Sequence, residues 1–131
     1  MKRHLFTVFA YVAATFITQA ISHFVVNSEH YATIQHMRPE PIFQLGFLAM
    51  LIEGIILSIL YAKQYSTQRT IKDAVGFSWL MGGFLVSYMA FAEAAKYTVP
   101  SVAAWIGIEM VSAFIQFTAF GVLLGLIYRD K

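Results

Sequence analysis

The chain has 131 residues, of which 59% are hydrophobic and only 12% charged, about half the charged fraction of a typical soluble domain. The net charge of +2 does not indicate nucleic acid: the basic residues sit at the ends of apolar runs and form no basic stripe or RNA-binding motif. Cysteine is absent, which excludes disulfides, thiolate catalysis and zinc–thiolate sites.

About 20 apolar residues are needed to cross the hydrocarbon of a bilayer, and four runs of that kind follow one another along the chain. The first covers about 5–26. It has a basic start and a passable cleavage site at Thr18-Gln19-Ala20, features shared with signal peptides, but we read it as an uncleaved span. The polar stretch "NSEHYATIQHMRPEP" ends it, and Pro39 and Pro41 disfavour helix just before them. The second run covers about 41–62, with Pro41 suited to a first helical turn. "KQYSTQRTIKD" separates it from the third, about 74–95. "YTVPS" then makes a turn at Pro100, and Ser101 is placed to cap the fourth run, about 102–128.

The expected fold is all-α: one polytopic domain over 1–131, with four transmembrane helices as two antiparallel hairpins in one bundle. Lys2, Arg3, Lys63, Arg69, Lys72, Arg129 and Lys131 fall on one side of this arrangement, and only Arg38 and Lys96 on the other. Lys and Arg mark the cytoplasmic side, so both termini are expected there. Trp105, Tyr97 and Tyr31 are expected near the outer interface, and Tyr61, Tyr65 and Tyr128 near the inner one, as an aromatic belt.

The ends of the second and fourth runs resemble each other, "GIILSILYAK" beside "GVLLGLIYR". Two hairpins of equal orientation would be parallel repeats about an axis along the membrane normal, as in some transporters. Convergence gives the same pattern, because any inward-ending helix favours an aromatic and a cation.

Every run carries a polar residue. At about 1.5 Å per residue, His23 lies roughly 5 Å from the outer end, Gln19 about 11 Å, Glu93 and Glu109 about 10–14 Å, and Glu53 about 18 Å. A charge at the centre of a lone helix costs roughly 2.5–3.5 kcal/mol, so the three glutamates should face one another, a wet cavity or a partner chain. Glu93 and Lys96 share a helical face and can pair, with Lys96 snorkelling outward. Glu109, Ser112 and Gln116 share a face of the fourth run with Trp105 above them. Gly46, Ala49 and Glu53 share one on the second, where small residues let another helix approach.

The candidate ligand-binding set is therefore Glu53, Glu93, Glu109, Lys96, His23, Gln19, Gln116 and Trp105, with His23 hydrogen-bonded to a carboxylate such as Glu93 or Glu109. His23, His30 and His36 are candidate metal ligands, although the Glu-x-x-His motif of di-iron bundles is missing. Nucleophile elbow, phosphate loop and haem-attachment motif are all missing too, so no catalytic residue and no cofactor follows from the sequence.

The stretches "HYATIQHMRPEPIFQLGFLAMLIEGIILSILY" and "AEAAKYTVPSVAAWIGIE" resemble a family of small four-helix bacterial inner-membrane proteins. The resemblance implies a compact membrane fold in a bacterial inner membrane and no activity. Three functions stay open: a small membrane protein whose outward-facing acidic cavity binds or passes a small ligand or ion, an accessory subunit of a larger membrane complex, and a metalloprotein or enzyme using the His and Glu residues. Expected partners are the lipid bilayer and a homodimer or larger membrane complex. Whether the 27–40 loop closes over the cavity as a lid is left open.

Overall fold

The structure, a computed structural model, describes residues 1–34, 38, 40–64 and 70–129, and these form helices with no strand among them. Helix α1 (Lys2–Ile21) runs on through a π-helical turn (Ser22–Val26) to α2 (Ser28–Ala32). Helix α3 (Phe43–Gln64) follows, then α4 (Ile71–Ser87), a second π turn (Tyr88–Ala92), α5 (Glu93–Lys96) and α6 (Val102–Tyr128). Four continuous helical segments, Lys2–Val26, Phe43–Gln64, Ile71–Lys96 and Val102–Tyr128, are long and apolar enough to cross a membrane.

Local chemistry explains where these helices start. Ser101 caps α6 by accepting the Ala104 N–H at 3.2 Å, as its position before the apolar run suggests. Helix α4 begins at Ile71 rather than Ala74 because Thr70 and Asp73 form a reciprocal capping box. The Thr70 hydroxyl accepts the Asp73 N–H at 3.1 Å, and the Thr70 N–H donates to Asp73 Oδ2 at 3.2 Å. Pro41 lies ahead of α3, not in its first turn, and its carbonyl accepts the Phe43 N–H at 3.1 Å.

Helix α6 is the centre of the molecule and packs on both α1 and α4, while α3 packs on α1. The closest backbone approaches are toward the end of the bundle that holds the first residues of α1 and the last of α6, where Arg3 lies over the Tyr128 ring. We call this the terminal end and the opposite one the far end. A Cβ on Gly121 would sit 2.7 Å from Val75 Cα, and one on Gly125 2.7 Å from Ile71 Cα. Backbones of α4 and α6 therefore touch, as small residues permit between apolar helices. Tyr61, Tyr128 and Phe77 close this end with ring contacts at 5.0–5.2 Å. Tyr61 and Tyr128 are buried, as are Tyr31 and Trp105 at the other end; these four face the bundle interior rather than forming an outward belt, and Tyr65 lies outside the described residues.

The internal echo extends to contacts. One constant shift in residue number carries Gly54 to Gly121, and also carries the residues facing Gly54, Val8 and Tyr11, to those facing Gly121, Val75 and Ser78. The same shift takes the His4–Ser58 contact to the Ile71–Gly125 contact. The first and third membrane-length segments both break into a five-residue π turn near the far end. The halves differ in one respect: α1 and α6 share a broad interface, and the equivalent pair, α4 and α3, does not. The face expected to bring a helix onto Gly46 is bare, with nothing within 4 Å of a Cβ there, and Gly54 makes the close approach instead.

Candidate functional site

The far half of the bundle gathers the polar residues. On α1, Tyr11, Thr15 and Gln19 recur every fourth residue and so line one face. Opposite them α6 presents Glu109, Ser112, Ala113 and Gln116. The amide of Gln116 donates to Thr15 Oγ1 at 3.0 Å and its oxygen accepts from Gln19 Nε2 at 2.9 Å. Ser22 and Ser112 meet at 2.9 Å, and Asn27 Nδ2 donates to Ser22 Oγ at 3.0 Å.

Two tyrosines hold two of the glutamates. Tyr11 donates to Glu53 Oε2 at 2.7 Å, joining α1 to α3. Tyr31, carried by α2, donates to Glu109 Oε1 at 2.7 Å. Burial, and after it the adjacent Glu109 carboxylate, raises the Tyr31 pKa well above its ordinary value, so its hydroxyl remains a donor at neutral pH. The His23 ring stacks on Tyr31 at 3.8 Å with 12° between planes. His23 Nδ1 lies 3.0 Å from the Gln19 carbonyl; a carbonyl only accepts, so Nδ1 carries the proton. In place of the expected His23–carboxylate hydrogen bond, His23 Nδ1 bonds backbone, and it is Tyr31 that meets Glu109.

These side chains border two cavities. The larger, about 700 Å³, is lined by Tyr11, Thr15, Gln19, Glu53, Glu109 and Gln116 together with α4 and second-π-turn residues from Phe84 to Met89. The smaller, about 330 Å³, is lined by His23, Tyr31, Glu93, Tyr97 and Trp105. Glu109 and Met89 border both. Trp105 Nε1 donates to the Met89 carbonyl at 3.1 Å, tying α6 to the second π turn. Tyr31, Ile34 and Trp105 form a separate apolar cluster, so α2 folds back against α6 beside the smaller cavity. The part of the 27–40 loop at 35–37 and 39 lies outside the described residues.

Of the candidate ligand residues, Glu53, Glu109, Gln19 and Gln116 meet at the larger cavity, and Glu93, His23, Trp105 and again Glu109 at the smaller one. Lys96 borders neither; its ammonium donates to the Tyr88 hydroxyl at 3.0 Å and lies over the Tyr88 ring at 4.7 Å. Of the candidate metal ligands, His36 lies outside the described residues, and His30 packs edge-on against Tyr31 at 5.5 Å. Among the described residues no group of three or more His, Asp or Glu is placed to hold a metal ion.

Behind the cavity wall, Gln19 Oε1 is buried without a hydrogen-bond partner, a condition that costs about 1–3 kcal/mol. Sequence reasoning missed Tyr11, Tyr31, Thr15 and Tyr88. The fourfold spacing of Tyr11, Thr15 and Gln19 was a usable signal for two of them. Nothing local marks Tyr31 as the partner of Glu109.

Comparison with known proteins finds no matching family model, no matching curated protein and no matching solved structure. The resemblance to small four-helix bacterial inner-membrane proteins therefore rests on the quoted stretches alone.

Proposed function

We propose that this chain is a small integral protein of a bacterial inner membrane that binds, or passes, a small ligand or ion in the far half of its bundle. In this reading the four long helices form two antiparallel hairpins with both termini cytoplasmic, which puts the cavities in the outer half of the membrane. The observation that carries the reading is the cavity of about 700 Å³ at the junction of α1, α3, α4 and α6, bordered by Gln19, Glu53, Glu109 and Gln116. Its size is that of pockets for small molecules, about 300–1,000 Å³, and it pairs an apolar wall with a few convergent polar groups. Holding carboxylates there is costly in a membrane, and such residues face cavities or one another when they serve a pathway or a ligand.

Native mass spectrometry of the protein released from gentle detergent tests this. The expected result is an added small-molecule mass on the wild-type chain that is lost in Glu53→Gln and Glu109→Gln while the folded yield holds. A wild-type chain with no added mass, or two variants that lose folded yield and keep the ligand, would overturn it.

A second reading has its own support. The far half of α3 is uncovered, with Phe43, Leu45, Phe47 and Ile52 exposed, which suits an accessory subunit of a larger membrane complex or a homodimer. A heteromeric mass in the same spectrum would favour it.

A further inference from the structure

The larger cavity opens sideways. Helix α3 is packed against α1 from Gly54 to Tyr61 and is exposed from Phe43 to Phe47, so it leaves the bundle at the level of Glu53. On the other flank of the opening, Phe84 and Ser87 of α4 and Tyr88 and Met89 of the second π turn border the cavity and are themselves exposed. The internal repeat explains the gap. If the two halves were packed alike, α3 would meet α4 as α6 meets α1, and that is the interface missing among the described residues. The mouth thus has aromatic and aliphatic edges at the depth of the hydrocarbon, while its inner wall is polar.

The polar wall specifies the chemistry of what enters. Glu53 and Glu109 each meet a tyrosine through one oxygen, and both residues border the same cavity. Gln19 Oε1 adds a buried acceptor without a donor. The donors on the same wall are already engaged, Tyr11 with Glu53, the Gln19 amide with Gln116 and the Gln116 amide with Thr15, so the wall offers a ligand mainly acceptors, and carboxylates repel an anion. Lys96, the cation of α5, does not itself border the cavity; its ammonium is held 3.0 Å from the hydroxyl of Tyr88 on the exposed flank, away from the wall that carries Gln19, Glu53 and Glu109.

Resting on the reading of this cavity as a ligand site in a membrane, we infer that the ligand is an amphiphile with a primary ammonium head, whose N–H groups donate to these acceptors, and an apolar tail, entering from the bilayer between α3 and α4. The head lies among Gln19, Glu53 and Glu109, and the tail passes out between Phe84 and the exposed face of α3. The same chemistry is carried by a free alkylammonium and by an aminophospholipid of the bilayer itself.

The full chain in phosphatidylcholine nanodiscs, labelled with a dodecylammonium photoprobe bearing a diazirine in its tail, tests this. The expected label sits on the far halves of α3 and α4. Unlabelled dodecylammonium competes it away, ethylammonium and dodecyl sulfate do not, and Ala113→Phe, which sets a ring in the cavity beside Gln116 and Glu109, lowers it at least about tenfold with the variant still monodisperse. Repeating the labelling in nanodiscs containing phosphatidylethanolamine separates the sources: suppression identifies the bilayer lipid as the ligand, and undiminished labelling a free amphiphile. Equal competition by ethylammonium would overturn the amphiphile and leave a cavity for small cations. Labelling spread over all apolar faces and indifferent to every competitor and to Ala113→Phe would overturn the cavity as a ligand site altogether.

Discussion

The terminal and far halves of this bundle are made from the same four helices and are packed in opposite ways. At the terminal end, α4 and α6 touch through Gly121 and Gly125, α1 and α3 through Gly54, and buried aromatic rings fill what remains. At the far end two π turns interrupt α1 and α4, α3 departs, and the space is bordered by hydrogen-bonded polar side chains. Close backbone approach supplies dispersion contacts that hold apolar helices together. An end stabilised in that way lets the other tolerate an unmet acceptor and two carboxylates. The π turns belong to the same division of labour, since such turns are common at functional sites.

Breaking the tight half should have the largest effect. Gly121→Leu places a side chain where even a Cβ lies 2.7 Å from Val75 Cα, and overpacking of this kind costs about 1–3 kcal/mol. The folded, monodisperse fraction in detergent should fall sharply, while Gly83→Leu, at a position with nothing within 4 Å, should leave it unchanged. Equal behaviour of the two variants would contradict the packing described.

Tyr31→Phe and Tyr11→Phe come next, each removing the donor from a glutamate. A buried acceptor left unmet costs about 1–3 kcal/mol, although hydrogen bonds inside membranes average nearer 0.6 kcal/mol. Denaturant titration should show the larger loss for Tyr31→Phe, because Glu109 is buried and Glu53 half-buried. Trp105→Phe should cost about 0.5–1.5 kcal/mol by freeing the Met89 carbonyl, with faster hydrogen exchange confined to Tyr88–Ala92. The smallest effect should be that of Gly46→Ala on the bare face of α3. There the gain in helix propensity, about 0.5–1 kcal/mol, meets no clash, and a slight rise in thermal midpoint is expected.

Much of the architecture was legible in the chain. The four apolar runs, the polar breaks, the Ser101 cap and the sharing of one face by Glu109, Ser112 and Gln116 depend on neighbours in sequence, and hydrophobic length and 3.6-residue periodicity report such things directly. The start of α4 was legible too, in Thr70 and Asp73, but hydropathy alone placed it later. The approach at Gly46 was misjudged, and the burial of Tyr31, Tyr61, Trp105 and Tyr128 was not foreseen, because composition gives the depth of a residue and not the direction it faces.

What only the tertiary structure decided is who meets whom across helices: Tyr11 with Glu53, Tyr31 with Glu109, Trp105 with Met89, and the first turns of α3 left exposed. Those pairings follow from helix register and crossing, which Gly54, Gly121 and Gly125 set by letting particular turns come together. A helix that is apolar nearly all round carries little record in its own sequence of which side another helix will choose, so the cavity, bounded by four helices at once, exists only in the assembled bundle.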